Sequence, residues 1–173
     1  MPDTRIIIST RCYLESARYD RVGLKGRIAA VSFEAIDNGY IGARHTWSAS
    51  ASVLRSKGMI TPDCEKQIKL IEWFGRCIAN TDMHFGNLSF FWDKQDATVR
   101  LRLAPVYDML PMLYAPEKSE IVDRVFKAPL VVEVGIAVEL ARQFWNDLAS
   151  HEDVSGEFRK IAADNASLLN EKK

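Results

Sequence analysis

Residues 61–87 constrain the fold more than any other stretch. Thr61 followed by Pro62 has the form of a helix start, with Thr as N-cap and Pro at the first helical position, where its missing N–H costs nothing. From there Cys64, Ile68, Ile71, Phe74 and Ile78 recur at three- and four-residue steps and make one apolar stripe. The spacing predicts a helix that ends near Ala79 and presents Asn80 and Asp82 at its C-terminal end. Leu88 to Trp92 then reads as a strand, Asp93-Lys94-Gln95-Asp96 as a turn, and Thr98 to Leu103, with Val99, Leu101 and Leu103 alternating, as the returning strand. A hairpin sets its two outer ends side by side. Here those ends adjoin Asn87 and Asp108, so Asp82, Asn87 and Asp108 are expected to converge on one cleft.

Within Asn80-Thr81-Asp82-Met83-His84-Phe85-Gly86-Asn87 an acid is followed five positions later by Asn. This is the spacing of a kinase catalytic loop, in which the Asp accepts the proton of the attacking hydroxyl and the Asn holds a metal ion. Alone the pattern is weak, because Asp and Asn are common loop residues for turn reasons. The second acid, Asp108, strengthens it. Phosphoryl transfer needs a positioned hydroxyl and Mg²⁺ held by hard oxygen ligands, and Asp108 offers a carboxylate and Asn87 a carbonyl. His84 reads either as a loop or phosphate contact or, equally, as a packed loop histidine. Tyr107 and Met109 read as packing residues, with Tyr107 also a candidate lining of a nucleotide pocket. Arg18-Tyr19-Asp20-Arg21 reads as a buried ion-pair cluster, and Phe90-Phe91-Trp92 as strand core.

The flanking chain reads as α+β, mainly helical. Arg5 to Ser9 and Arg11 to Tyr19 are expected strands, and the two glycines of Asp20 to Arg27 mark a turn. Ala29 to Ile36 is strand or the start of a helix, Asp37 to Trp47 irregular, and Ser48 to Lys57 a helix stopped by Gly58. Pro105, Pro111 and Pro116 make their stretch irregular. Glu133 to Ala149 is an expected helix with Ile136, Leu140, Phe144 and Leu148 on its apolar face. Glu157 to Asn170 is the last helix, with Phe158, Ile161 and Leu168 apolar and the end beyond it frayed.

Bulk properties narrow the class. The 173 residues, 47% hydrophobic, suffice for one domain with a core. A net charge of zero gives no argument for nucleic acid or an anionic membrane. There is no apolar run of membrane-span length and no signal-peptide stretch, which points to a cytoplasmic protein. Cys12, Cys64 and Cys77 are odd in number and lack CxxC pairing, so they read as buried thiols and not as disulfides or a zinc site.

Three segments together resemble a known family. Leu14-Glu15-Ser16-Ala17-Arg18-Tyr19-Asp20-Arg21, the Asn80–Asn87 stretch and Ala104-Pro105-Val106-Tyr107-Asp108 are similar to the C-terminal part of HipA-type serine/threonine kinases, toxins of bacterial toxin–antitoxin pairs. The resemblance implies a protein-kinase-like C-terminal lobe whose small hairpin carries the catalytic and metal-site loops, using ATP and Mg²⁺. It implies Asp82 as catalytic base, Asn87 and Asp108 as metal-holding residues, and His84 and Tyr107 beside the nucleotide. The backbone of Ser16, Ala17 and Arg18 would be the hinge that meets adenine. It divides one domain into residues 1–21, the end of an N-lobe and hinge, and residues 22–173, the helical C-lobe. The family's glycine-rich phosphate loop and ATP-anchoring Lys lie upstream of the hinge. No counterpart precedes Cys12, so the chain is expected to be inactive or weak without an N-lobe.

Two other readings stand beside this one. Asp82-Met83-His84-Phe85-Gly86-Asn87 also resembles the loop of small-molecule phosphotransferases of the aminoglycoside or choline kinase kind. The Ala-Pro-Val-Tyr-Asp sequence and the Arg18-Tyr19-Asp20-Arg21 hinge favour the protein kinase, with a protein as substrate. The third reading is a non-catalytic module that binds an antitoxin or a separate N-lobe subunit, and it predicts an exposed apolar docking patch.

Overall fold

The computed structural model describes residues 4–42, 46–93, 100–117, 123–130 and 133–170. It is α+β, with five α-helices and three small sheets among those residues. The chain divides into two compact units, Met1–Glu65 with His84–Asp108, and Lys66–Met83 with Met109–Lys173.

The first unit opens with a hairpin. Strand β1 (Thr4–Ile8) pairs antiparallel with β2 (Cys12–Ser16), placing Ile6 opposite Leu14 and Ile8 opposite Cys12. β2 is shorter than the strand expected to reach Tyr19. Cys12 is exposed, unlike Cys64 and Cys77, which are buried as expected. Two short strands, β3 (Arg21–Val22) and β4 (Gly26–Arg27), flank a tight turn in which Gly23 takes the left-handed φ of 56°.

Strand β5 (Ala30–Ser32) runs directly into helix α1 (Phe33–Tyr40), so both alternatives for residues 29–36 are realised in sequence. The Ser32 hydroxyl accepts from the Ala35 amide and starts the helix. Asp37 to Tyr40 are helical and not irregular: Asp37 is buried and accepts from the Ser50 hydroxyl at 2.9 Å, which fixes this turn against helix α2 (Trp47–Ser56). Strand β6 (Ser89–Asp93) lies between β5 and β7 (Arg100–Leu103), antiparallel to both, with Phe90 opposite Leu103. Residues 94–99, which hold most of the expected turn together with Thr98 and Val99, lie outside the described residues. Phe90 and Phe91 are buried, but Trp92 is exposed.

Helix α3 (Pro62–Cys77) forms as its sequence predicts. The Thr61 hydroxyl accepts from the Cys64 amide at 3.1 Å. Thr61→Ala should therefore lower stability by about 1 kcal/mol in a denaturant titration; an unchanged midpoint would deny the cap any weight. Cys64, Ile68 and Ile78 of the stripe are buried, and Ile71 and Phe74 are half-buried. Glu65, also buried, accepts from the Ser52 hydroxyl and pairs with Arg55, a partnership that an apolar stripe could not announce.

The second unit is helical. Helices α4 (Gly135–Ser150) and α5 (Gly156–Asn170) pack on each other. The buried line of α4 is Ala137, Ala141 and Trp145, whereas Ile136 is 59% exposed and Leu140 is 41% exposed. On α5 the buried residues are Ala162, Asn165, Ala166 and Leu169, and Leu168 is exposed. Of the expected faces, Phe144, Leu148 and Phe158 do pack against the core, whereas Ile136, Leu140 and Leu168 are displaced from it by about one position. Large aliphatics mark a stripe by size, but here small alanines take the close contact between helices and the larger side chains flank it. The core of this unit centres on Trp145, whose indole N–H donates to the Cys77 carbonyl at 3.0 Å. Burial pushes the Cys77 thiol up to about 11, so it stays protonated. Residues 171–173 lie outside the described residues.

Candidate functional site

In the first unit the sequence brings two loops to one edge of the β5-β6-β7 sheet. Segment 84–88 leads into β6 and segment 104–108 leaves β7. The Ala104 amide donates to the Ser89 carbonyl at 2.8 Å, so the outer ends of β6 and β7 are adjacent. Tyr107 then locks them. Its hydroxyl donates to the Gly86 carbonyl at 2.6 Å and lies 3.1 Å from the Ser89 hydroxyl. Gly86 precedes Asn87 and Tyr107 precedes Asp108, so the loops that carry these two residues are held together.

Local chemistry shapes the first loop. Residues 85–87 form one 3₁₀ turn, with the Asn87 amide bonded to the His84 carbonyl. His84 Nδ1 accepts from the Gly86 amide at 3.0 Å, so a neutral ring carries its proton on Nε2. A side chain at Gly86 would begin 2.8 Å from that imidazole, which is why glycine fits here. Phe85 rests against Phe33 at 4.8 Å, and the Leu88 carbonyl accepts from the Phe33 amide. Asn87 is buried and Asp108 exposed, and both are engaged by neighbouring groups.

Asp82 belongs to the second unit. There helix α3 closes with a left-handed cap: the Asn80 amide donates to the Gly75 carbonyl and the Ala79 amide to the Arg76 carbonyl. Ala79 sits at φ 60°, a conformation that usually requires glycine. The Asn80 side chain accepts from the Asp82 amide at 3.0 Å, and the Ala79 carbonyl accepts from the Leu113 amide. Asp82 itself is exposed at the end of this braced turn. Among the described residues the non-glycine positions at positive φ are Ala79 and Asp108, at 60° and 58°. Each lies within or next to an acid-bearing segment, and strained backbone persists where the surroundings over-determine it.

The expected hinge, Ser16 to Arg18, follows the open end of the β1–β2 hairpin. A pocket of about 270 Å³ is lined there by Thr4, Arg5, Glu15, Ser16 and Ala17. Arg18 makes a two-pronged ion pair with Asp20 at 2.8 and 2.7 Å, and Arg21 approaches at 3.8 Å. The pair is not buried as expected, since the Arg18 side chain is open to solvent. Its hydrogen bond to Arg18 still lowers the Asp20 carboxyl to about 2. Ser89, Tyr19 and Asn80 were not assigned roles from sequence. Their parts depend on the hairpin register and the helix cap, and only the Tyr107 position carried any signal.

Asn87 and Asp108 supply hard oxygen donors. Among the described residues there is no group of three or more His, Cys, Asp or Glu placed to hold a metal. A cation here would therefore draw most of its shell from phosphate and water, as Mg²⁺ commonly does. No helix of the described residues is long and apolar enough to cross a membrane.

This chain belongs to the HipA-like C-terminal domain family, whose model matches residues 1–169. A curated relative, Toxin YjjJ of Escherichia coli (strain K12), is 36% identical over 166 residues, covering 92% of this chain and 37% of that protein. The chain thus spans little more than a third of the length of that relative.

Proposed function

We propose that the chain is the C-terminal lobe of a HipA-type serine/threonine kinase that transfers the ATP γ-phosphate to a protein hydroxyl, within a toxin partnered by an antitoxin. Asp82 is the general base for the acceptor hydroxyl. Asn87 and Asp108 hold Mg²⁺, which when bound would neutralise charge developing on the phosphates. His84 and Tyr107 border the nucleotide, and the backbone of Ser16 to Arg18 meets adenine beside the pocket at the β1–β2 hairpin. The observation that carries the reading is the Tyr107 bridge, which joins the Asn87 and Asp108 loops within a family-matched chain. A docking role for the N-terminal hairpin has its own support. Ile6, Ile8 and Leu14 share one face and are 61%, 82% and 73% exposed, an apolar surface suited to an N-lobe or another protein.

The test is transfer from γ-labelled ATP with Mg²⁺, by this chain alone and with an N-lobe from a longer family member. Transfer is expected with the lobe added. Within these residues no glycine-rich phosphate loop or anchoring Lys stands ahead of the hinge. ATP binding by the chain alone should therefore be no tighter than millimolar, roughly −4 kcal/mol. Micromolar binding in calorimetry would mean that other residues here cradle the phosphates.

A further inference from the structure

Tyr19 has no part in the reading above, yet it is the middle of a ring stack in the first unit. Its ring lies 5.9 Å from that of Tyr107 with 24° between planes, and meets Phe91 edge-on at 5.8 Å. The Arg102 guanidinium covers Phe91 at 4.7 Å. Phe91 and Arg102 are cross-strand partners in β6 and β7, so the stack is anchored in the sheet. At its other end is the Tyr107 hydroxyl, which donates to the Gly86 carbonyl.

We infer that Tyr19 and Tyr107 form a two-ring strut that positions the Gly86–Asn87 backbone against the segment following Ser16 to Arg18. Both are positioning residues for the ion held by Asn87 and Asp108. The consequence for the ion rests on the proposed function; the strut itself does not. Gly86 has no side chain with which to anchor its own turn, and the 3₁₀ turn is only three residues long. Its carbonyl is gripped from outside by Tyr107, and the direction of the next side chain, Asn87, follows from that grip. Metal ligands tolerate little misplacement, and a short polar loop holds its ligand only as well as its supports do. Tyr19 supplies the flat face that keeps the Tyr107 ring from turning away, and it stands one residue beyond the hinge. Displacement of the hinge segment would therefore be felt at Asn87.

Amide hydrogen exchange tests the strut on the unsubstituted chain and on Tyr107→Phe, Tyr19→Leu and Tyr19→Phe. Tyr107→Phe keeps the ring and loses the donor, whereas Tyr19→Leu removes the stacking face and Tyr19→Phe restores it. Exchange at Gly86 and Asn87 is expected to quicken about tenfold in Tyr107→Phe and Tyr19→Leu, a change within reach of one hydrogen bond. Tyr19→Phe and helix α2 should be unaffected. With an N-lobe added, Tyr19→Leu should need about tenfold more Mg²⁺ for half-maximal transfer, with kcat at saturating Mg²⁺ within about twofold. Unchanged exchange at Gly86 and Asn87 in Tyr107→Phe overturns the strut, whether or not the protein transfers phosphate. A fall in kcat with unchanged Mg²⁺ demand overturns the positioning role. Absence of transfer by the unsubstituted protein overturns the proposed function, while exchange alone still decides the strut.

Discussion

Asp82→Asn is expected to abolish phosphoryl transfer, a loss of at least about 10²-fold, and to leave Mg·ATP affinity within about twofold. The protein for this measurement is the chain supplied with an N-lobe. A general base orients the acceptor hydroxyl and has no ground-state contact with the nucleotide, so only the chemical step suffers. The Asp82 backbone is held through the Asn80 side chain and the left-handed cap at Ala79, which the substitution leaves intact. Asp108→Asn is expected to lose transfer and to weaken Mg²⁺-dependent nucleotide binding by roughly 1–3 kcal/mol, the worth of a charge-assisted contact. Asn tolerates the left-handed conformation that Asp108 adopts, so its backbone should not respond. Both acids are exposed, and neither change should shift the melting temperature by more than a few degrees. Full transfer by Asp82→Asn would remove Asp82 from the role of base. Unaltered Mg²⁺ dependence in Asp108→Asn would remove Asp108 from the metal.

Trp145→Ala should be the most damaging single substitution in the second unit, with a loss of about 3–5 kcal/mol in denaturant unfolding. Trp145 is fully buried and packs edge-on against Tyr114 and Phe144, with Phe126 tilted beside it. Truncation leaves a cavity and strips the Cys77 carbonyl of its indole donor. A domain of this size has only about 5–15 kcal/mol to lose, so the variant could be too unstable to purify. Trp145→Phe then serves. It keeps most of the ring packing and loses the donor, and about 1–3 kcal/mol is expected. A change below about 0.5 kcal/mol in Trp145→Phe would show that the bond to Cys77 contributes nothing.

Some of this was legible in the sequence because the cause is local. The Thr61-Pro62 start of α3 needs nothing beyond its own side chain and the next three amides. The β6–β7 pairing follows from the apolar run at Leu88 to Trp92 and the alternation of Val99, Leu101 and Leu103, and pairing alone makes the outer ends adjacent. The helix faces were less legible. The large aliphatics Ile136 and Leu140 outweigh Ala137 and Ala141 in any reading by hydrophobicity, but the contact between α4 and α5 selects for small residues. The period was correct, and its phase held for Phe144, Leu148 and Phe158 but not for Ile136, Leu140 and Leu168.

For the candidate site the same division holds. The Asp82, Asn87 and Asp108 positions are marked by spacing and by motif, since residue type and order along the chain carry that information. What holds the loops did not show. The Tyr107 hydroxyl reaches Gly86 across 21 positions, and Tyr19 meets Tyr107 across 88. Motif and position marked Tyr107, but nothing local shows which carbonyl it grips or which ring Tyr19 meets. The left-handed turn at Ala79 is equally silent in sequence, because Ala does not advertise positive φ as glycine does. Sequence by itself determined the capped helix α3, the β6–β7 pairing, the two C-terminal helices and the chemical groups the loops offer. Tertiary structure decided which face of each helix is buried, which rings stack and which carbonyl is gripped. Those depend on the distance between segments far apart along the chain, which no local pattern encodes.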